Sequence, residues 1–185
     1  MKRLLIVVDY QNDFVDGSLG FPGAGALAAP IAEKIAAYRA AGDEVVFTFD
    51  THGRDYLRTQ EGRNLPVEHC IEGTPGYELY GEVAAAAQPG DLRFRKPTFG
   101  SAALFEWLRT AQRAAGEVSR EPFASIELVG LVSNICVISN AVIAKTACPE
   151  VPIIVDAACT ASFDAHLNDA ALDVLEGLQV QVINR

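Results

Sequence analysis

The chain has 185 residues, of which 50% are hydrophobic and 21% are charged, as expected for one compact domain with a sizeable core. Its formal net charge of -9 argues against the concentrated basic face that nucleic-acid binding requires. No apolar run is long enough to cross a bilayer, and the run at residues 4–8 is too short for a signal peptide, so we expect a cytoplasmic protein.

Short apolar, β-branched runs recur along the chain and predict the strands of one sheet. They cover residues 4–8, 44–49, 92–95, 125–130, 152–155 and 180–183. Helix-like stretches lie between most of them, at residues 31–41, 82–88, 101–115, 136–147 and 164–176. Strands without strict alternation, separated by helices, indicate a doubly wound α/β fold. We therefore predict a three-layer sandwich with a mostly parallel six-stranded sheet, in a single domain over residues 1–185.

Two segments fall outside this pattern. Residues 51–80 are rich in His, Glu, Gly and Pro and lack periodicity, which is typical of a functional or disordered loop. Their large apolar side chains favour order. The glycines of residues 20–25 do not directly follow a strand, so we interpret them as a turn before a helix and not as a dinucleotide-binding fingerprint.

Reactive side chains follow the predicted strands. Asp9 comes after the first strand, Asp50 and His52 after the second, Lys96 after the third, and Cys136 just past the fourth. In an open parallel sheet, ligands bind beyond the carboxyl ends of the strands. The spacing therefore predicts one site at this edge of the sheet.

Cys136 is the candidate nucleophile. The segment GLVSNIC at residues 130–136 predicts a strand, a turn and a helix, and Asn134 as N-cap would place Cys136 in the first helical turn. There the helix dipole and a nearby Lys96 favour a thiolate, and free N–H groups favour an oxyanion. Asp9 is placed to take the thiol proton and deliver it to a leaving amine. The alternatives are a buried structural cysteine, a structural salt bridge between Asp9 and Lys96, and a surface lysine.

A second set of residues has the chemistry of a metal site. Alternate residues at a strand end point the same way, so Asp50 and His52 can face one ion together with His69. One carboxylate and two imidazoles suit Zn²⁺, Fe²⁺ or Mn²⁺, whereas the alternative is a pair of ordinary surface histidines. The four cysteines lack the spacing of a zinc knuckle or a redox pair, and we expect reduced thiols.

These segments together resemble a known family. The sequence DYQNDF at residues 9–14 resembles the opening of the isochorismatase-like cysteine hydrolases, among which the chain is most similar to the nicotinamidases. KPTFGS at residues 96–101 resembles the family's lysine segment, and GLVSNIC resembles its nucleophile segment. DTH at residues 50–52 and LPVEH at residues 65–69 resemble its metal-binding stretches.

The resemblance implies a reaction. Cys136 would attack the carboxamide of nicotinamide, Asp9 would act first as base and then as acid, and Lys96 would hold the charge balance. A thioester would form, and the products would be nicotinate and ammonia, as in NAD salvage. The partner would be a small amide and neither a nucleic acid nor a membrane, and relatives often form homo-oligomers.

The resemblance also implies details of the site. The peptide bond between Leu131 and Val132 would be cis, with the N–H groups of Val132 and Cys136 forming the oxyanion hole. The cofactor would be a divalent metal, with zinc ahead of iron or manganese, that anchors the pyridine nitrogen. Glu61 would be a ligand in place of a histidine that many nicotinamidases have after the D-x-H pair.

Aromatic side chains are the candidates for holding the substrate ring. Phe14 and Phe99 would sandwich the ring, with Tyr56 as a further candidate, although each is equally compatible with a core position. Gly100 stands where the family usually has serine, and residues 133–135 replace polar residues that often precede the cysteine.

Three other functions compete with the nicotinamidase. The nearest is an amidase with the same mechanism that acts on another small amide or carbamoyl compound, although such relatives often lack the metal set. The second is a vinyl-ether hydrolase of the isochorismatase type, which is disfavoured because that reaction needs no cysteine and Cys136 is present. A catalytically silent ligand-binding protein would be expected to lack one of the three catalytic residues, and none is missing here.

Overall fold

The computed structural model describes residues 1–116 and 121–185. Its strands are β1 (Leu4–Val8), β2 (Glu44–Asp50), β3 (Leu92–Lys96), β4 (Ile126–Leu131), β5 (Ile153–Ala161) and β6 (Gln181–Ile183). Its α-helices are α1 (Asn12–Val15), α2 (Ala28–Ala40), α3 (Gln60–Asn64), α4 (Gly81–Ala86), α5 (Ala102–Ala115), α6 (Ile138–Ala147) and α7 (Ala165–Gly177). Short 3₁₀ turns cover Ala24–Leu27, Tyr56–Arg58 and Pro75–Tyr77, and a π-helical turn covers Ser133–Val137.

The six strands form one parallel sheet in the order β3-β2-β1-β4-β5-β6. Alternate residues of β1 enter two separate cores: Leu4, Ile6 and Val8 pack with α5, α6 and α7, whereas Leu5 and Val7 pack with α2 and α4. Helices therefore cover both faces, which confirms the predicted three-layer α/β sandwich. The strand order reverses between β1 and β4, and a crevice for ligands opens at such a reversal.

A glycine permits the close approach of these two central strands. Gly130 pairs with Val8 and has a φ angle of 109°, in the region that favours glycine. A Cβ atom at this position would lie 2.0 Å from the carbonyl oxygen of Val8. No other residue fits here without moving β1 or β4.

The predicted ends of two elements were wrong. Strand β5 was predicted to end at Val155 but extends to Ala161, because its register with β4 shifts between Leu128 and Gly130 and lets extra residues bulge out. Helix α6 begins at Ile138 and not at Cys136. Asn134 lies inside the preceding π turn and does not cap a helix.

Other local predictions were confirmed. The hydroxyl of Ser101 caps α5 by accepting a hydrogen bond from the Leu104 N–H at 3.1 Å. The loop from residue 51 to 80 is ordered by short helical turns and by single β-bridges to Gln11 and His52. The four cysteines are buried and unpaired. Within the described parts of the chain, every helix is too short or too polar to cross a membrane.

Candidate active site

Asp9, Lys96 and Cys136 meet at the carboxyl edge of the sheet. Asp9 directly follows β1, Lys96 is the last residue of β3, and Cys136 lies in the π turn after β4. The Lys96 ammonium is 2.6 Å from Asp9 Oδ2 and 3.4 Å from Cys136 Sγ. All three side chains are buried, with at most 4% of each residue exposed. The sequence prediction placed these residues on one rim, and the structure puts them in contact.

Asp9 is held in an orientation that leaves it able to accept a proton. Its Oδ1 accepts a hydrogen bond of 2.6 Å from the Thr48 hydroxyl, while Oδ2 faces Lys96. Burial raises the pKa of Asp9, and the positive charge of Lys96 opposes that rise. A carboxylate with a raised pKa is a stronger base than an exposed one.

Cys136 differs electrostatically from the sequence expectation. The helix position and Lys96 were expected to favour a thiolate, but burial raises the pKa of Cys136 well above its usual value. The charge of Asp9 and its hydrogen bond with the thiol raise the pKa further, and Lys96 only partly offsets these effects. The resting group is therefore a thiol, which requires a base before it can act as a nucleophile.

Lys96 remains charged despite its burial. Burial alone lowers its pKa, but the neighbouring Asp9, Cys136 and Asp50 raise it above the usual value. The ammonium also donates a hydrogen bond of 3.0 Å to the Thr98 carbonyl and contacts Asp50 Oδ1 at 3.3 Å. Lys96 therefore contacts both Asp9 and Cys136 and also Asp50, one of the predicted metal ligands.

The four predicted metal ligands form one cluster. One ligand atom from each of Asp50, His52, Glu61 and His69 lies within 4.8 Å of the others. Asp50 Oδ2 is 3.0 Å from His52 Nε2 and 3.2 Å from His69 Nε2. The Nδ1 of His69 lies 2.8 Å from the Val67 carbonyl, which can only accept a hydrogen bond, so Nδ1 carries a proton and Nε2 is the nitrogen that can bind an ion. This donor set fits a divalent metal.

Two residues that the sequence reasoning left without a role position these ligands. The Gln11 amide donates hydrogen bonds of 2.9 Å to the carbonyls of Asp50 and Tyr77, and its oxygen accepts one from the Asp50 N–H. Asp13 Oδ2 accepts a 2.7 Å bond from the N–H of Cys70, the residue after His69. Their place in the motif at residues 9–14 was the signal that could have identified them.

An apolar cavity of about 460 Å³ opens above the nucleophile. Its lining is Phe14, Leu19, Gly20, Asp50, Glu61, Leu65, His69, Phe99, Val132, Ile135, Cys136 and Phe163. Phe14 and Phe99 lie where a substrate ring could pack, as the resemblance implied. Phe163 is a lining residue that sequence reasoning missed, because it follows β5 in a segment with no distinguishing motif.

Tyr56 is the one predicted ring contact that lies elsewhere. It is fully buried, and its ring packs against His52 at 4.6 Å and His69 at 4.9 Å between centroids. Its hydroxyl donates to the Leu65 carbonyl. Tyr56 does not line the cavity, so the structure gives it a packing role against His52 and His69, of which His69 is a lining residue.

The nucleophile turn has the expected backbone. The Leu131–Val132 peptide bond is cis, and Val132 lines the cavity beside Cys136. The use of the Val132 and Cys136 N–H groups as an oxyanion hole stays a prediction.

Known proteins are similar to this chain in sequence and architecture. The model of the isochorismatase domain matches residues 3–185. A nicotinamidase/pyrazinamidase of Mycobacterium tuberculosis is 30% identical over 98% of both chains. The crystal structure of a nicotinamidase/pyrazinamidase from Bacillus subtilis is 30% identical and superimposes with a TM-score of 0.81, over 98% of this chain and 99% of that one. A zinc complex of a pyrazinamidase from Pyrococcus horikoshii has the same TM-score at 19% identity and full coverage of both chains, which shows a common fold.

Family model, relatives and architecture agree over almost the whole length. The chain belongs to the isochorismatase family, and within it is similar to the nicotinamidases.

Proposed function

We propose that this protein is a nicotinamidase, which hydrolyses nicotinamide to nicotinate and ammonia through a thioester on Cys136. The observation that carries the proposal is the contact of a buried thiol, carboxylate and ammonium at the base of an apolar cavity. The same cavity contains Asp50, Glu61 and His69 of the metal cluster. The similarity to nicotinamidase/pyrazinamidase sequences supports the choice of substrate.

In the first half of the reaction, Asp9 takes the thiol proton as the sulfur attacks the amide carbon. The C=O electron pair moves to oxygen, and N–H groups of the nucleophile turn stabilise the oxyanion. When the C–N bond breaks, Asp9 returns the proton to nitrogen and ammonia leaves. Lys96 remains charged and stabilises the negative charge that passes between Asp9 and the sulfur.

In the second half, Asp9 again acts as a base. It takes a proton from water while the water oxygen attacks the thioester carbon. The C–S bond then breaks, the sulfur recovers the proton from Asp9, and the carboxylic acid that forms leaves as nicotinate after it releases its own proton to solvent. The same carboxylate therefore serves both steps, which explains why it is buried beside the sulfur and lacks exposure to bulk water.

The metal cluster would orient the ring. Asp50, His52, Glu61 and His69 would hold a divalent cation, for which we propose zinc because imidazole and carboxylate ligands suit it. When bound, the cation supplies an electrophilic site for the pyridine nitrogen. Phe14 and Phe99 would then pack on the ring, which places the carboxamide at Cys136.

The substrate assignment has a direct test. Wild-type protein loaded with zinc, and the Cys136→Ala variant, would be assayed for ammonia release from nicotinamide, pyrazinamide and a carbamoyl amino acid. We expect turnover of the two aromatic amides by wild type and none by the variant. Preference for the carbamoyl compound would favour the rival amidase, and equal turnover by the variant would contradict thiol catalysis. The cytoplasmic location, the role in NAD salvage and self-association remain predictions.

A further inference from the structure

A buried carboxamide joins the nucleophile turn to the lysine segment. Asn140 lies in α6, one turn after Cys136, and its side chain is fully buried. Asparagine is a poor residue for a helix interior, and a buried amide without partners is destabilising. Hydrogen bonds to the Asn140 amide must therefore offset the free-energy cost of burying it here.

The Asn140 amide makes three hydrogen bonds. Its Nδ2 donates to the carbonyl of Cys136 at 2.8 Å and to that of Phe99 at 3.1 Å. Its Oδ1 accepts a bond of 3.0 Å from the Ser101 N–H. Two carbonyls require the NH₂ group and one N–H requires the oxygen, so the partners permit only one orientation of the amide.

The segment that Asn140 holds contains two residues of the site. Lys96 lies at its start, where the ammonium bonds to the carbonyl of Thr98, and Phe99 lines the cavity. Gly100 packs directly on α6, because a Cβ there would lie 2.7 Å from the Cδ1 atom of Ile143. A side chain at residue 100 would require the end of the Ile143 side chain to move.

We propose that Asn140 is a positioning residue that fixes Cys136 relative to Lys96 and Phe99. It touches neither substrate nor the reacting atoms, and acts by tying the Cys136 carbonyl to the backbone of Phe99 and Ser101. The inference rests on the proposed thiol mechanism. A displacement of about 1 Å between catalytic groups can lower a rate by about a hundredfold, so loss of the Asn140 hydrogen bonds is expected to slow the chemical step.

Two variants remove different hydrogen bonds of Asn140. Asn140→Thr can still bond to the carbonyl one turn back, that of Cys136, but loses Phe99 and Ser101. Asn140→Asp keeps an acceptor for Ser101 but loses both donated bonds. We expect each variant to lower kcat for nicotinamide by about ten- to a hundredfold, with KM changed by less than about threefold. Leu175→Ala, which removes a buried side chain of α7 from the core, is the matched control for lost stability, and its kcat should be unchanged below its melting temperature.

A second readout does not depend on the amide substrate. The rate of Cys136 alkylation by iodoacetamide would be measured by mass spectrometry, with Cys136→Ala as the blank. We expect both Asn140 variants to react at least about threefold more slowly, because Lys96 is no longer held near the sulfur. If nicotinamide is not a substrate but alkylation still depends on Asn140, the nicotinamidase assignment fails and the positioning role of Asn140 is supported. The positioning role would be overturned if both folded Asn140 variants had wild-type kcat and alkylation rates. It would also be overturned if Leu175→Ala lowered kcat and the alkylation rate by the same factors.

Discussion

The chemistry of this site depends on single side chains that are buried together. Lys96 lies between Asp9, Cys136 and Asp50, so one ammonium offsets the negative charge of two carboxylates. The resting thiol follows from this arrangement, because burial and Asp9 raise the pKa of Cys136 more than Lys96 lowers it. Catalysis then depends on how well Asp9 accepts a proton.

The Thr48 hydroxyl is expected to tune that base. Thr48→Val removes the bond to Asp9 Oδ1, which stabilises the ionised carboxylate, so the pKa of Asp9 should rise and its ionised fraction should fall. We expect kcat to fall by about tenfold, the size of a lost hydrogen bond to a charged group. Thr160→Val is a matched control, since Thr160 is also a buried strand threonine but bonds to the Gly130 carbonyl. Similar kcat values for the two variants would contradict the role of Thr48.

Glu61 is expected to contribute to metal binding. Glu61→Gln removes a charged oxygen that lies 3.7 Å from His52 Nε2 and 3.8 Å from His69 Nε2. Zinc affinity, measured by competition with a chromophoric chelator, should fall by at least about tenfold. Glu72→Gln is the control, because Glu72 lies in the same loop but pairs with Arg95 at the surface. Equal affinity in the two variants would remove Glu61 from the ligand set.

At the scale of elements, the site depends on the close pairing of β1 and β4. Asp9 and the Cys136 turn follow these two strands, so their separation sets the distance between base and nucleophile. Gly130 allows the strands to approach, since a side chain there would collide with the Val8 carbonyl.

Gly130→Ala is therefore expected to destabilise the protein by about 3 kcal/mol or more, from both the collision and the positive φ angle. Gly177→Ala is the control, because a Cβ at the end of α7 meets no atom within 4 Å. That change should be neutral or stabilise by up to about 1 kcal/mol. Urea denaturation of both variants measures the difference, and a Gly130→Ala variant as stable as wild type would contradict the packing argument.

Much of the fold was predictable from sequence because its strands are buried on both faces. The run 4–8 coincides with β1, and Ser101 and Asp164 cap the helices that were predicted to begin at those residues. The end of β5 was not predictable, since the bulge beyond Val155 depends on pairing with β4. The π turn was also missed, because Asn134 looks like a helix cap in sequence alone.

The candidate site was predictable in its members more than in its electrostatics. Strand ends placed Asp9, Lys96 and Cys136 on one rim, but the depth of burial that keeps Cys136 protonated depends on the packed structure. Tyr56 shows the same limit: its aromatic ring suited a substrate contact, and only the fold shows that it packs against His52 and His69 and does not line the cavity.

At the scale of the whole molecule, a charged cluster joins the layers away from the catalytic edge. Lys34 of α2 lies 2.6 Å from Glu127 of β4 and 2.7 Å from Asp156 of β5. Asn184 near the C-terminus donates to Asp156, and the Tyr38 hydroxyl donates to Glu127. The cluster therefore connects a helical layer, the sheet and the end of the chain.

This cluster predicts how stability varies with pH. Burial favours the neutral form of Asp156, but bonds from Lys34 and Asn184 lower its pKa below 3.8. A lowered folded-state pKa stabilises the protein above the unfolded value, and this contribution is lost as the pH falls through the folded value. Burial lowers the pKa of Lys34, but its two carboxylate partners raise it above 10.5, so its contribution is present below that pH and lost above it.

Asp156→Asn tests this window. The variant should be about 1–3 kcal/mol less stable than wild type between about pH 5 and pH 10. The difference should begin to shrink as the pH falls below about 4, where Asp156 of the unfolded chain takes up a proton, and should disappear only below the lowered folded-state pKa of Asp156. Urea denaturation at pH 2.5 and pH 7 measures it, and a difference that is the same at both values would contradict the ionic account.

The proposed mechanism depends on a covalent bond between the substrate and Cys136. Mass spectrometry of the intact, zinc-loaded protein, quenched in acid during turnover of nicotinamide, tests it most directly. The proposed mechanism predicts that wild type gains the mass of one nicotinoyl group, which digestion then locates on the peptide that contains Cys136, and that Cys136→Ala gains none. Turnover of nicotinamide without an adduct on wild type, or with the same adduct on the variant, would contradict it.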